Sequence, residues 1–168
     1  MFTMDNCLTP NSSASSAARH PHVIDIQEIR QQVTAACTAG SHLSIRSNNT
    51  RAFYGREISG VPLALHDYAG IIDYSPSELV ISARAGTPLA DIEATLAREG
   101  QRLAFEPPAF GTGATLGGTI ACGLSGPCRP WNGAARDSVL GINCINGRGE
   151  YLRFGGQVMK NVAGYDLS

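Results

Sequence analysis

Apolar residues recur at helical spacing in two stretches of the chain. From Asp25 to Ala39, the residues Ile26, Ile29, Val33 and Cys37 fall on one face. Asp25 and Glu28 have capping-box spacing, with Asp in the Ser/Thr role, and Gly40 stands where a helix C′ glycine belongs. The second helix begins at Thr87-Pro88, with Thr87 predicted as N-cap and Pro88 as the first helical residue. Leu89, Ile92 and Leu96 line its face, Asp91 and Glu93 suit its positive end, and Gly100 closes it. Strands are predicted for His42–Ser47, Val61–Leu65 and Leu79–Ala83. Two further runs, Ser138–Ile145 and Glu150–Phe154, flank Asn146-Gly147-Arg148-Gly149, a hairpin signal. The pattern describes an α+β domain of short strands, two helices and long glycine-rich connections.

Composition narrows the class. The 168 residues suffice for one domain with a real core. Net charge is −1 and the single lysine is Lys160, so nothing marks a nucleic-acid or anionic membrane surface. No apolar run approaches a membrane span. Residues 1–22 are rich in Ser, Ala and Asn and lack an apolar h-region, which predicts a disordered extension rather than a secretory signal. Cys7, Cys37, Cys122, Cys128 and Cys144 form an odd, scattered set that reads as reduced thiols in a cytoplasmic protein. No CxxC or HExxH occurs, so no metal site is expected.

The run from Gly111 to Gly126, GTGATLGGTIACGLSG, carries the chemistry. Each glycine costs about 0.5–1 kcal/mol relative to alanine in regular structure. A cluster is therefore a burden unless its backbone approaches something closely. A diphosphate held by backbone amides is such a use; ligand-free tight turns are the alternative. Gly113 to Thr119 has P-loop glycine spacing but no lysine, and Gly111-Thr112-Gly113-Ala114-Thr115-Leu116 lacks the third glycine of a dinucleotide fingerprint. Two separated loops gripping one diphosphate remain: Arg46-Ser47-Asn48-Asn49-Thr50, with Asn tolerating left-handed turns, and Ala114 to Gly118. In the second, Thr115 is predicted to cap a short helix whose free N–H groups face the ligand. Trp131 reads as a packing anchor and Arg136-Asp137 as a local ion pair, with Arg129 and Arg136 also available to a carboxylate or phosphate.

Four segments, RSNNTRAFYGR, DYSPSELVISARAGTPLADIEATL, FEPPAFGTGATLGGTIACGLSGPCRPWNGAARDSVLG and RFGGQVMKNVAGYDLS, carry a resemblance over residues 24–168. The chain resembles the PCMH-type FAD-binding domain of the vanillyl-alcohol-oxidase superfamily, and within it the FAD-binding subunits of bacterial glycolate oxidases. That resemblance implies two small α/β subdomains over residues 23–168, incomplete before the last strands, with the substrate domain absent.

It also implies roles for residues. Arg46, Ser47, Asn48, Asn49 and Thr50 would form the pyrophosphate loop, and Thr115, Leu116, Gly117 and Gly118 would close over the same diphosphate. Cys122, Gly123, Ser125 and Gly126 would pass beside the flavin and ribityl chain. The strand from Val139 to Ile142 would border the adenosine end, and Lys160 to Asp166 the flavin's working side. Many relatives tether FAD through a histidine or a cysteine; no histidine lies in the glycine-rich or RSNNT segments and nothing singles out Cys122 for that link, so FAD is expected to be noncovalent. The implied reaction oxidises a small 2-hydroxy acid, glycolate to glyoxylate. The implied partners are a second flavoprotein subunit and an iron–sulfur subunit. A D-lactate-type dehydrogenase, a non-catalytic flavin-holding scaffold and an inactive truncated product are the other readings. No nucleophile–base pair or paired carboxylates emerge, so catalytic residues are left unassigned.

Overall fold

The computed structural model describes residues 24–56 and 58–156; the predicted extension 1–22 and the segment Lys160–Asp166 lie outside them. Helix α1 spans Ile26–Ala39. Asp25 caps it by accepting from the Ile26 N–H at 2.6 Å, and Gly40 ends it in the left-handed region at φ 63°. Of its predicted apolar face, Ile29 is buried and Val33 half-buried, whereas Cys37 lies exposed. Ile29 packs with Ile24 and Leu63, and Val33, Leu43, Leu65, Tyr68 and Ile145 surround them.

Strands β1 (Leu43–Arg46) and β2 (Val61–Ala64) pair in parallel, Leu43 opposite Val61 and Arg46 opposite Ala64. Parallel neighbours need a crossover of a dozen or more residues, normally a helix. Here the described residues of the crossover, 47–56 and 58–60, form no helix, and its first residues are the predicted pyrophosphate loop. β3 (Ile71–Ser75) and β4 (Val80–Ala83) form an antiparallel pair through a 3₁₀ turn, Pro76–Glu78. Sequence reading missed β3, because Asp73 interrupts its short apolar run.

Helix α2 (Leu89–Arg98) buries Leu89, Ile92 and Leu96 as predicted, but it starts one residue later than expected. Pro88 is its N-cap. Thr87, 1% exposed, does not cap; its hydroxyl accepts from the Gly70 N–H at 2.9 Å and lies 2.7 Å from the Arg84 carbonyl. A tertiary partner took the hydroxyl that local geometry would have given to the helix.

The glycine-rich run folds into α3 (Leu116–Cys122), followed by α4 (Arg129–Asn132) and a 3₁₀ turn at Ala135–Ser138. Trp131 on α4 is 82% exposed, so it is not the packing anchor its flanking residues suggested. β5 (Gly141–Ile145) and β6 (Tyr151–Gly155) make the predicted antiparallel hairpin. Its turn is not a two-residue Asn-Gly reversal. Asn146 accepts from the N–H groups of Arg148 and Glu150 at 2.9 and 3.0 Å, and Gly149 takes the positive φ of 78°. The result, among the described residues, is an α+β arrangement with three two-stranded sheets. Among the described residues no helix is long and apolar enough to cross a membrane.

Candidate functional site

The two predicted loops meet. The Asn48 side-chain amide donates to the Gly113 carbonyl at 3.0 Å, across 65 positions of sequence. A Cβ at Gly113 would stand 3.0 Å from that of Asn48, a tight contact that glycine avoids. Asn49 holds φ 53°, the left-handed conformation that Asn tolerates better than most residues. In the same loop Ser47 is half-buried, and its hydroxyl oxygen is shielded with no hydrogen-bond partner among the described residues. A shielded hydroxyl without a partner costs about 1–3 kcal/mol, so the gap calls for explanation. Arg46, expected as the first residue of this loop, is exposed and folds back to donate to the Ser44 hydroxyl at 2.9 Å. Thr50 is half-buried, and Asn48 and Asn49 are exposed.

The second loop departs from expectation in one respect. Thr115 occupies the N-cap position of α3 but makes no side-chain cap; it is 3% exposed and bridges Pro88. The Leu116 and Gly117 amides bond the Thr87 and Ala85 carbonyls at 2.9 and 2.8 Å, and the Thr119 amide bonds Thr115 at 3.0 Å. Among the described residues, Gly118 is left with the free amide of the first turn. The helix start therefore offers one donor rather than a fan, because it is stitched to the turn before α2. Gly117 and Gly118 differ accordingly. A Cβ at Gly117 would sit 2.7 Å from Ala85 Cβ, whereas one at Gly118 would meet only Thr115 Oγ1 at 3.3 Å and Arg51 Nη1 at 3.7 Å.

Arg51 was not singled out in sequence, yet it lies where the loops converge. Its Nη2 donates to the Pro108 carbonyl at 2.8 Å and to the Thr119 hydroxyl at 3.3 Å. Its Nε is shielded without a partner, and its guanidinium carbon stands 5.8 Å from the centre of the Phe110 ring. Phe110 in turn meets Phe53 edge-to-face at 5.1 Å. A basic residue immediately after RSNNT was the available signal.

At the other end of α3 lies a cavity of about 290 Å³, lined by Ile120, Gly123, Val139, Ile142, Arg129 and Arg136 among others. It joins Gly123 and Ile142, two predicted site residues that are far apart in sequence. Its largely apolar lining, with Arg129 and Arg136 included, suits a planar ring system bearing an anionic group. Arg136 also makes the expected pair with Asp137 at 3.6 Å, both exposed. Cys122 is half-buried. Ser125 is buried, and its hydroxyl accepts from the Ala135 N–H at 2.9 Å. Gly126, at φ 77°, packs its Cα against the Glu106 carbonyl, where any Cβ would collide.

Cys37, Cys122, Cys128 and Cys144 are free thiols. The Cys128 thiol is pushed above its usual range, first by a hydrogen bond to Glu106, then by burial and the Glu106 charge, with Arg102 opposing. Among the described residues no cluster of His, Cys, Asp and Glu could hold a metal ion.

Unpartnered polar groups thus gather near the start of α3, and a largely apolar cavity lies at its other end. That is the layout of a nucleotide-binding flavoprotein domain. The chain belongs to the FAD binding domain family, which matches residues 22–155. It is 54% identical over 142 residues to the glycolate oxidase subunit GlcE of Escherichia coli K12, a match covering 84% of this chain and 41% of that protein. It is 26% identical over 144 residues to the uncharacterized FAD-linked oxidoreductases MT2338 and Rv2280 of two Mycobacterium tuberculosis strains, covering 84% of this chain and 31% of theirs. The chain therefore spans less than half the length of these curated relatives.

Proposed function

We propose that this chain is the FAD-binding portion of a glycolate oxidase-type subunit. The convergence of the two loops carries the reading: the Asn48–Gly113 bond closes a cradle in which Ser47 Oγ has no protein partner. An anionic ligand supplies the missing acceptor, and the FAD diphosphate fits it by chemistry. The Ser47 hydroxyl, the Asn48 to Thr50 backbone and the Gly118 amide would hold the diphosphate, while Gly117 keeps the helix close enough to reach it. Thr115 and Leu116 act indirectly, fixing the start of α3. Gly123 and Ile142 would border the ring system in the cavity, with Cys122, Ser125 and Gly126 shaping that end. With no histidine in either loop segment, the cofactor is held noncovalently.

When bound, the flavin supplies the acceptor for a hydride from the α-carbon of a small 2-hydroxy acid, glycolate becoming glyoxylate. This chain's residues bind and orient. Acid–base groups come from other parts of the subunit or from its partners: a second flavoprotein subunit and an iron–sulfur subunit, in the cytoplasm. The test is to incubate purified protein with FAD, desalt, and record the flavin bands near ~450 nm before and after denaturation. Retained colour released on denaturation supports the site, and a colourless protein sinks it. Anaerobic bleaching by glycolate, against D-lactate, in the full-length subunit assembled with its partners then separates glycolate oxidation from D-lactate dehydrogenation. Colour that neither acid bleaches points to a scaffold.

A further inference from the structure

We propose that Arg51 is the cation that neutralises the cofactor's diphosphate. The inference rests on the FAD reading above and names a ligand that reading does not. Arg46 is exposed and turned back onto Ser44. Arg51 is half-buried and reaches both walls of the cradle, through Pro108 and Thr119. Thr119 is itself 0% exposed, and its hydroxyl donates a hydrogen bond to the Thr115 carbonyl at 2.8 Å, so its oxygen is free to accept from Arg51. These bonds fix the guanidinium plane.

The fixed plane leaves two nitrogens over. Nε is shielded and unpartnered, and Nη1 lies 3.7 Å from where a Gly118 side chain would begin. Among the described residues no carboxylate pairs with Arg51; the ion pairs there are His66–Asp67 and Arg136–Asp137. A half-buried guanidinium without a counter-charge is costly, and proteins keep such groups where a ligand brings the charge. Arginine suits a phosphate because its planar fork donates twice to adjacent oxygens. Nη1 faces the one side of Gly118 that has no Cβ. A phosphate oxygen seated there accepts from the Gly118 amide and from Arg51 together.

A purely mechanical role, clamping Pro108 to Thr119, is the competing account, and charge screening tells them apart. FAD affinity of the full chain is measured by flavin fluorescence at low and high salt, with ADP as competitor, for wild type, Arg51→Gln and Arg51→Lys. Circular dichroism melts run alongside. Wild-type binding weakens with salt because the diphosphate contact is electrostatic. Arg51→Gln weakens FAD and ADP about tenfold or more at low salt and flattens the salt dependence. Arg51→Lys keeps the charge and the wild-type salt slope with some loss of affinity. An Arg51→Gln variant that binds as wild type, or one that binds more weakly with an unchanged salt slope, overturns the inference while leaving the FAD site standing. If Arg51→Gln does not fold, Arg51→Lys decides alone: a retained slope supports the charge role and a flattened one overturns it. A wild-type chain that binds no FAD removes both readings.

Discussion

The neighbouring glycines Gly117 and Gly118 offer a sharp perturbation, because the same methyl meets different surroundings one residue apart. In Gly117→Ala the new Cβ would lie 2.7 Å from Ala85 Cβ and 3.0 Å from the Ala85 carbonyl oxygen, so backbone must move. It also prises at the 2.8 Å bond from the Gly117 N–H to that carbonyl. Overpacking of this kind costs about 1–3 kcal/mol. Replacing glycine in a helix recovers about 0.5–1 kcal/mol. The net loss therefore reaches about 2.5 kcal/mol and centres on about 1 kcal/mol, roughly 2–4 °C in melting temperature for a chain of this size. In Gly118→Ala the nearest atom is Thr115 Oγ1 at 3.3 Å, a contact that needs a shift of only tenths of an ångström. The helix gain offsets it, leaving stability within about 0.5 kcal/mol of wild type. Its methyl, however, points into the space assigned to the diphosphate and should weaken FAD by about tenfold or more. Thermal melts without cofactor and FAD titrations of both variants check the pair. The reasoning fails if Gly118→Ala melts as low as Gly117→Ala, or if it binds FAD as wild type does.

Other consequences follow from single contacts. Asn48→Ala removes the bond to Gly113 and should cost about 0.5–1.5 kcal/mol in a denaturant melt, with a larger relative loss in FAD affinity. At Asn49, φ 53° predicts that Gly is accepted, whereas Val destabilises by about 1–2 kcal/mol, readable in the same melts. Ile92, 1% exposed on α2, should cost about 2–5 kcal/mol as alanine. Cys128, its thiol raised chiefly by the hydrogen bond to Glu106, should alkylate more slowly than a free-thiol peptide at neutral and mildly alkaline pH; Glu106→Gln should speed it. Because the native value lies above the unfolded one, this group's stabilisation is full below the unfolded pKa. It fades as pH rises through the native value, so alkaline melts of wild type and Glu106→Gln should converge.

Local rules settled what local atoms settle. Asp25 and Gly40 bounded α1, and Asn146 with its neighbours bounded the β5–β6 turn, since each signal acts within a few residues. The start of α2 slipped because Thr87 found Gly70, a partner no window around Thr87 contains. The amides of α3 were misjudged for the same reason: the carbonyls of Ala85 and Thr87 arrive from some thirty positions away. RSNNT was legible as a loop with a left-handed turn, and Asn49 takes it. Which arginine turns inward was not legible. Arg46 and Arg51 bracket the loop symmetrically in sequence, and only the seat between Pro108 and Thr119 distinguishes them.

The parallel pairing of β1 with β2 makes the ligand loop a tether. Residues 47–60 connect two strands locked in register at four positions, so the loop's ends are fixed and only its path is free. A ligand that grips residues 47–50 shortens the search that brings Val61 beside Leu43. Occupancy and strand pairing then share one free energy, RT ln(1 + [L]/Kd), about 2.7 kcal/mol at a hundredfold excess over Kd. Amide exchange at β1 and β2 should slow on cofactor addition, although neither strand need touch the cofactor. The domain would be assembled by the molecule it holds, and apoprotein would accumulate with this sheet unzipped first.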